Sequence, residues 1–246
     1  MAWLLIDNSN TRTKFALGDG GGLGAWRGVL ATAAISPATL ACLLDRVAFE
    51  AVVIASVVPV KAQVLRDFFG SRVAVHMLDW RSPLGMGIDY PEPGQIGADR
   101  LANAVGVVAR YGAPAVVIDS GTAVTFDIVS AAPAYCGGGI APGLGAMTQY
   151  LARTTALLPE IELAEPASAI GKSTIHAMQV GAVIGYRGLV REILARICAE
   201  LPGRPQIIAT GGDAELIACG IPEIDVVDAD LTLEGIRQVA MAVYAP

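Results

Sequence analysis

Histidine occurs only twice in 246 residues and cysteine four times, and neither type clusters. His76 and His176 lie far apart, and Cys42, Cys136, Cys198 and Cys219 form no C-x-x-C pair. This spacing argues against a zinc or thiol–disulfide centre. The cysteines read as reduced, mostly buried thiols. Charge is also scarce, at 16% of residues, and its balance is acidic: 17 Lys and Arg against 23 Asp and Glu, a net −6. General affinity for nucleic acid or anionic lipid needs clustered basic residues and is excluded. No apolar run approaches the roughly 20 residues of a membrane span. Asp7 interrupts the first apolar run too early for a secretory leader. The expectation is a cytoplasmic protein with neither membrane nor nucleic-acid partner.

Apolar residues, in contrast, make up 54% of the chain, enough for a sizeable core. The length suits one large domain or two ordinary ones. β-Branched and apolar runs predict strands at 2–6, 14–17, 51–56, 74–78, 115–118, 124–129 and 206–209. Helical periodicity predicts helices at 37–47, 60–69, 98–111, 141–153, 173–200 and 232–244. The helix at 141–153 follows a glycine-rich turn. Strands and helices mixed in this way define an α/β fold. In the long helical stretch Ala177, Gly181, Gly185 and Gly188 share a face. Glycine costs about 1 kcal/mol per helical position relative to Ala. Close helix contact, within the chain or with a second copy, would offset that.

Two segments repeat one pattern. "LLIDNSNTRTKFALG", Leu4–Gly18, is an apolar strand that ends in Asp7, a small polar turn, and an alternating return strand. "VVIDSGTAVTFDIV", Val116–Val129, does the same around Asp119. One Asp at a turn is unremarkable. Two at equivalent places, each beside a Thr, imply duplicated halves. A turn of small residues presents backbone N–H groups to phosphate oxygens, and a carboxylate at its edge suits Mg²⁺.

These paired hairpins resemble the phosphate motifs of the actin–hexokinase superfamily. More narrowly, the chain resembles the type III pantothenate kinases, through "DNSNTRTKFAL", "GADRLANAV", "DSGTAVTFD", "GGGIAPG", "GKST", "ATGGDA" and "LTLEG" in that order. The resemblance implies two ribonuclease-H-like lobes with a cleft between them, here divided as residues 1–112 and 113–246. It implies ATP-dependent phosphorylation of pantothenate to 4′-phosphopantothenate, the first step toward coenzyme A, by a homodimer using Mg²⁺ and a monovalent cation, K⁺ or NH₄⁺. Asp7, Asn10, Thr11 and Lys14 would serve the nucleotide from one lobe, and Asp119, Gly121 and Thr122 from the other. Asp7 and Asp119 would hold the metal. Gly211, Gly212 and Asp213 would lie near the nucleoside. Asp99 matches the general base, and Tyr90, Gly97, Ala98, Arg100 and Thr174 the substrate pocket, with Thr174 reaching a neighbouring subunit.

The chemistry of these residue types agrees. A carboxylate at a helix N-terminus stays ionised and can accept a hydroxyl proton. Guanidinium suits carboxylate and amide oxygens. "GKST" is not a Walker motif, because Pro166, five residues before Gly171, stands where its first Gly belongs and no strand leads in. Ser9 departs from the family, which has Gly there, so a changed turn or weaker ATP binding is expected. Ser120 departs too, but Gly121 is kept. The competing readings are another kinase or phosphatase of the superfamily, and a nucleotide-binding accessory regulator that has lost catalysis. Retention of Asp7, Asp99 and Asp119 disfavours the regulator.

Overall fold

The computed structural model describes residues 1–245. In chain order the strands are β1 (Trp3–Asn8), β2 (Arg12–Gly18), β3 (Leu23–Ala31), β4 (Ala51–Ser56), β5 (Ala74–Met77), β6 (Gly87–Ile88), β7 (Ala115–Ser120), β8 (Ala123–Val129), β9 (Ala134–Pro142), β10 (Gln206–Thr210) and β11 (Val226–Val227). The helices are α1 (Pro37–Leu43), α2 (Pro59–Gly70), α3 (Ala98–Tyr111), α4 (Leu144–Thr154), α5 (Thr174–Gln179), α6 (Tyr186–Glu200), α7 (Ala214–Ala218) and α8 (Leu231–Tyr244). Between α5 and α6 the helix continues as a π-helical segment, Val180–Gly185.

The chain forms two compact units. The first holds Met1–Gly112, the short piece Ala132–Cys136 and the chain from Asp230 onward; the second holds Ala113–Ala131 and Gly137–Ala229. The sequence division at 112/113 had placed α8 in the second lobe, but its apolar face completes the first. Leu231, Leu233, Ile236, Val239 and Ala240 are all buried.

In the first unit the sheet runs β3-β2-β1-β4-β5. β1 is antiparallel to β2 and parallel to β4, and β4 is parallel to β5. β1 is buried along its whole length, as an unbroken apolar run beside a parallel neighbour requires. Leu4, Ile6, Phe15, Val52 and Ile54 pack with Leu40 of α1 and Leu65 and Phe69 of α2. α1 starts on a capping box between Ser36 and Thr39 with Pro37 behind it.

α3 and α8 pack backbone to backbone. A Cβ on Gly235 would lie 2.6 Å from the Ala102 carbonyl carbon, and one on Gly106 would strike the Leu231 carbonyl. Beside this crossing Glu234 accepts two bonds from Arg237, at 2.9 and 2.7 Å, and one from Gln238 at 2.7 Å, while Arg110 of α3 lies 3.6 Å away. The "LTLEG" segment is thus a helix-packing element: Thr232 donates to Asn103, Glu234 forms the ion cluster, and Gly235 makes the close approach.

In the second unit the sheet runs β11-β10-β7-β8-β9. β7 is antiparallel to β8 and parallel to β10, and β10 is parallel to β11. Each unit therefore repeats one order, with a strand–hairpin–strand meander on one side of its first strand and parallel strands on the other. The first residues of β9 belong to the first unit, where they pair with β6. Val116, Ile118, Val124 and Phe126 pack on Tyr186, Val190 and Leu194 of α6 and Ile217 of α7.

Several elements differ from the expectations. β3, β6, β9, β11 and α7 were not anticipated. β9 runs through the expected glycine turn, with Gly137 at φ 109° and Gly138 at φ 150°, conformations glycine adopts without strain. The cysteines are less buried than expected: Cys42 and Cys219 are exposed, and Cys136 and Cys198 half-buried. Three glycines of the long helix meet nothing among the described residues. A Cβ on Gly181, Gly185 or Gly188 would have no neighbour within 4 Å.

Candidate active site

In the first unit Asp7 ends the apolar run of β1, one residue before the strand does, and is 5% exposed. Register sets it opposite Lys14 of β2 and beside Ala55 of β4. Asn10 and Thr11 lie in the exposed turn between β1 and β2. The Ser9 hydroxyl donates to Asp7 Oδ1 at 2.8 Å. Among the described residues only Arg46 combines a side chain with positive φ. Ser9 thus occupies the turn without needing a glycine conformation.

Gly97 caps α3, which begins at Ala98 and Asp99. A Cβ on Gly97 would lie 2.5 Å from Asp99 Oδ1 and 3.4 Å from a Val57 methyl. Glycine here clears space for the carboxylate. Asp99 is half-buried in the first turn, where the helix dipole favours its charge, and it accepts a bond from the Arg100 amide at 2.8 Å. Ala98 is buried. The Arg100 guanidinium carbon lies 5.7 Å from the centre of the Tyr135 ring. That ring meets Tyr90 edge-on, with centroids 6.1 Å apart. Such contacts hold guanidinium and phenol in fixed orientations. The sequence reading missed Tyr135. Its only sequence signal was an aromatic next to the glycine run.

In the second unit register places Asp119 between Thr125 of β8 and Thr210 of β10. Gly121 and Thr122 form the turn that follows, with the Gly121 amide bonded to the Ala123 carbonyl at 2.9 Å. Gly211 has φ 97°, and a Cβ there would lie 2.6 Å from the Ser120 carbonyl carbon and 2.7 Å from Asp119 Oδ1. The Asp213 amide donates to the Ser120 carbonyl at 3.2 Å. Asp119, Gly121, Thr122, Gly211, Gly212 and Asp213 are thereby gathered at one end of the sheet. The Gly143 amide reaches the Thr122 carbonyl at 3.1 Å, and a side chain at Gly143 would collide with that turn.

The donor chemistry suits a hard divalent cation and a phosphate. Carboxylates stand at two strand ends next to bare backbone, and no group of three or more His, Cys, Asp or Glu that could hold a metal occurs among the described residues. "GKST" is no phosphate loop. No strand lies between 143 and 205, and a Cβ on Gly171 would sit 2.5 Å from the Ala177 amide. Thr174 starts α5 and lines a cavity of about 870 Å³ with Met147, Tyr150, Leu151, Ala177 and Gly181.

Two units of one repeated topology, each with an Asp-ended hairpin, define an ATPase or kinase of the actin–hexokinase type. Solved structures agree on the fold. An activator of 2-hydroxyisocaproyl-CoA dehydratase from Clostridium difficile with bound ADPNP matches with a TM-score of 0.55 at 10% identity over 99% of this chain and 97% of that one. An inorganic polyphosphate/ATP-glucomannokinase from Arthrobacter sp. matches with a TM-score of 0.51 at 16% identity over 98% and 99%. Sequence narrows the class. The family model for type III pantothenate kinase matches residues 3–196. A type III pantothenate kinase of Akkermansia muciniphila is 55% identical over 96% of this chain and 97% of its own length, and one of Methylacidiphilum infernorum is 45% identical over 95% and 86%. The chain belongs to the type III pantothenate kinase family.

Proposed function

We propose that this protein transfers the γ-phosphoryl group of ATP to the primary hydroxyl of pantothenate, giving 4′-phosphopantothenate and ADP in a cytoplasmic pathway toward coenzyme A. The observation that carries this reading is Asp99, placed at a helix N-terminus with a glycine cleared beside it and with Arg100, Tyr135 and Tyr90 clustered next to it. Arg100 pairs with the pantothenate carboxylate or amide oxygens. Tyr90, Gly97 and Ala98 shape the pocket. Asp99 takes the hydroxyl proton as the new O–P bond forms and the bond from γ-phosphorus to the β–γ bridging oxygen breaks. Asp7, Asn10, Thr11 and Lys14 serve the phosphates from the first unit, and Asp119, Gly121 and Thr122 from the second. Gly211, Gly212 and Asp213 receive the nucleoside. Asp7 and Asp119 hold Mg²⁺, which when bound neutralises phosphate charge. A monovalent cation, K⁺ or NH₄⁺, belongs to this reading by family resemblance, and activity in K⁺ compared with Na⁺ checks it.

The same reading makes the protein a homodimer. Ala177, Gly181, Ile184, Gly185 and Gly188 form an exposed small-residue face beside the cavity that Thr174 lines. Close helix approach of a second copy would occupy it. The deciding experiment is phosphorylation of pantothenate by purified protein with ATP, Mg²⁺ and K⁺, repeated with Asp99→Asn. A loss of about 10²–10⁴-fold in kcat is expected. Inactive parent protein, or an Asn variant as fast as the parent, would overturn the assignment.

A further inference from the structure

A line of buried hydroxyl and amide groups runs beneath the first phosphate turn. The Val58 amide donates to Ser56 Oγ at 3.2 Å, and Ser56 Oγ donates to Asn8 Oδ1 at 2.6 Å. Asn8 Nδ2 donates to Thr13 Oγ1 at 2.7 Å, and Thr13 and Thr32 hydroxyls are 2.9 Å apart. Thr32 Oγ1 donates to the Ser9 carbonyl at 2.7 Å. The last bond fixes the polarity of the rest. A carbonyl only accepts, so Thr32 spends its single proton on Ser9 and must accept from Thr13. Thr13 must then accept from Asn8, whose amide nitrogen only donates. Every bond points the same way, from the start of α2 to the phosphate turn. Asn8, Thr13 and Thr32 are each at most 3% exposed, so no water competes for these groups.

We propose that Asn8 and Thr13 are positioning residues of the kinase. Both are buried beneath the turn rather than exposed at it. Their one-directional relay holds the Ser9 carbonyl, and with it the turn that follows Asp7. The Val57 amide adds a second strut to the Asn8 carbonyl at 3.1 Å. A uniform chain of this kind strengthens each member through its neighbours. Cutting it at one link frees the whole turn. The apolar alternation of β2 does not call for a Thr at position 13, and a strand interior does not call for Asn at position 8. The relay accounts for both.

The inference rests on Asp7 serving the nucleotide, and the test separates the two claims. Thr13→Val is nearly isosteric but breaks the relay, whereas Thr13→Ser keeps the hydroxyl and loses a methyl. Binding of ADP with Mg²⁺ is measured by calorimetry, alongside KM for ATP and for pantothenate and the melting temperature. Thr13→Val is expected to weaken ADP binding and raise KM for ATP about tenfold, the scale of one hydrogen bond lost from a buried polar group, with KM for pantothenate unchanged. Thr13→Ser is expected to bind ADP like the parent even where its melting temperature falls. A Thr13→Val variant that binds ADP like the parent overturns the relay, as does Thr13→Ser losing as much affinity as Val. If Thr13→Val gives no folded protein, Thr32→Val cuts the last link and is read in the same way. Asp7→Asn is the control. Should it leave ADP binding intact, the assignment of Asp7 fails and the relay proposal fails with it. Should it abolish binding while Thr13→Val does not, the relay alone is refuted.

Discussion

Replacing Gly235 by Ala opposes two quantities of different sign. Within a helix, Gly→Ala ordinarily gains about 1 kcal/mol. At this position the new methyl would sit 2.6 Å from the Ala102 carbonyl carbon and 3.0 Å from the Gly106 amide nitrogen. Both obstacles are backbone, so no rotamer change relieves them. α3 and α8 must separate instead. Overpacking of this kind costs typically 1–3 kcal/mol, and the upper end applies where only whole helices can move. The expected net loss is about 2 kcal/mol. The displacement carries a second cost, because the proposed base, Asp99, stands in the first turn of α3. A misplacement near 1 Å at a catalytic group is worth about 10² in rate. Urea unfolding should therefore show a lower midpoint at unchanged slope, and kcat should fall by more than KM changes. Gly70→Ala is the counterpart. It ends α2 with nothing within 4 Å of its Cβ position, and it should be neutral or stabilising. A Gly235→Ala midpoint at or above the parent's would refute the steric reasoning.

Glu234 makes stability depend on acid. Burial raises its pKa, but the hydrogen bonds from Arg237 and Gln238 and the charges of Arg237 and Arg110 outweigh this and hold it below the ordinary 4.5. A depressed carboxyl contributes fully above 4.5 and loses that contribution as pH falls through its lowered value. Glu234→Gln should cost about 3 kcal/mol near neutrality, the scale of a broken buried pair, and should flatten the acid limb of a stability–pH curve. Ser9→Gly removes the hydroxyl from Asp7 Oδ1. KM for ATP should fall by a few-fold, the scale of one hydrogen bond, and an unchanged KM would show that the hydroxyl does not matter to the nucleotide. Gly185→Glu should convert a dimer to monomer in sedimentation velocity and raise KM for pantothenate.

The hairpins around Asp7 and Asp119 were legible because each pairs a fully buried strand with a tight polar turn, a pattern that period-2 alternation carries on its own. α3 was legible to the residue, since Leu101, Val105 and Val108 repeat at helical spacing between Gly97 and Gly112. β3 was not. Its sequence, LGAWRGVLA, is mostly exposed, and hydrogen bonding to β2 rather than apolar pattern makes it a strand. β9 was hidden for a similar reason, because its glycines read as a turn. The close packing of Gly106 on α8 and the polar line under Asn8 depend on contacts between distant parts of the chain, which no local pattern encodes. Tyr135 bridges Tyr90 and Arg100 only because a five-residue piece, Ala132–Cys136, joins the first unit.

The return of α8 to the first unit has a consequence for biosynthesis. Residues 113–131 and 137–229 supply the whole of the second unit, and the opening of β9 goes to the first. The second unit needs nothing from residues 231–244 to complete its sheet. The half that emerges first lacks the partner for α3 until residues 231–244 have cleared the exit tunnel. The earliest segment made is therefore the last to become native, and for that interval its unfinished apolar seam is exposed to chaperones and proteases.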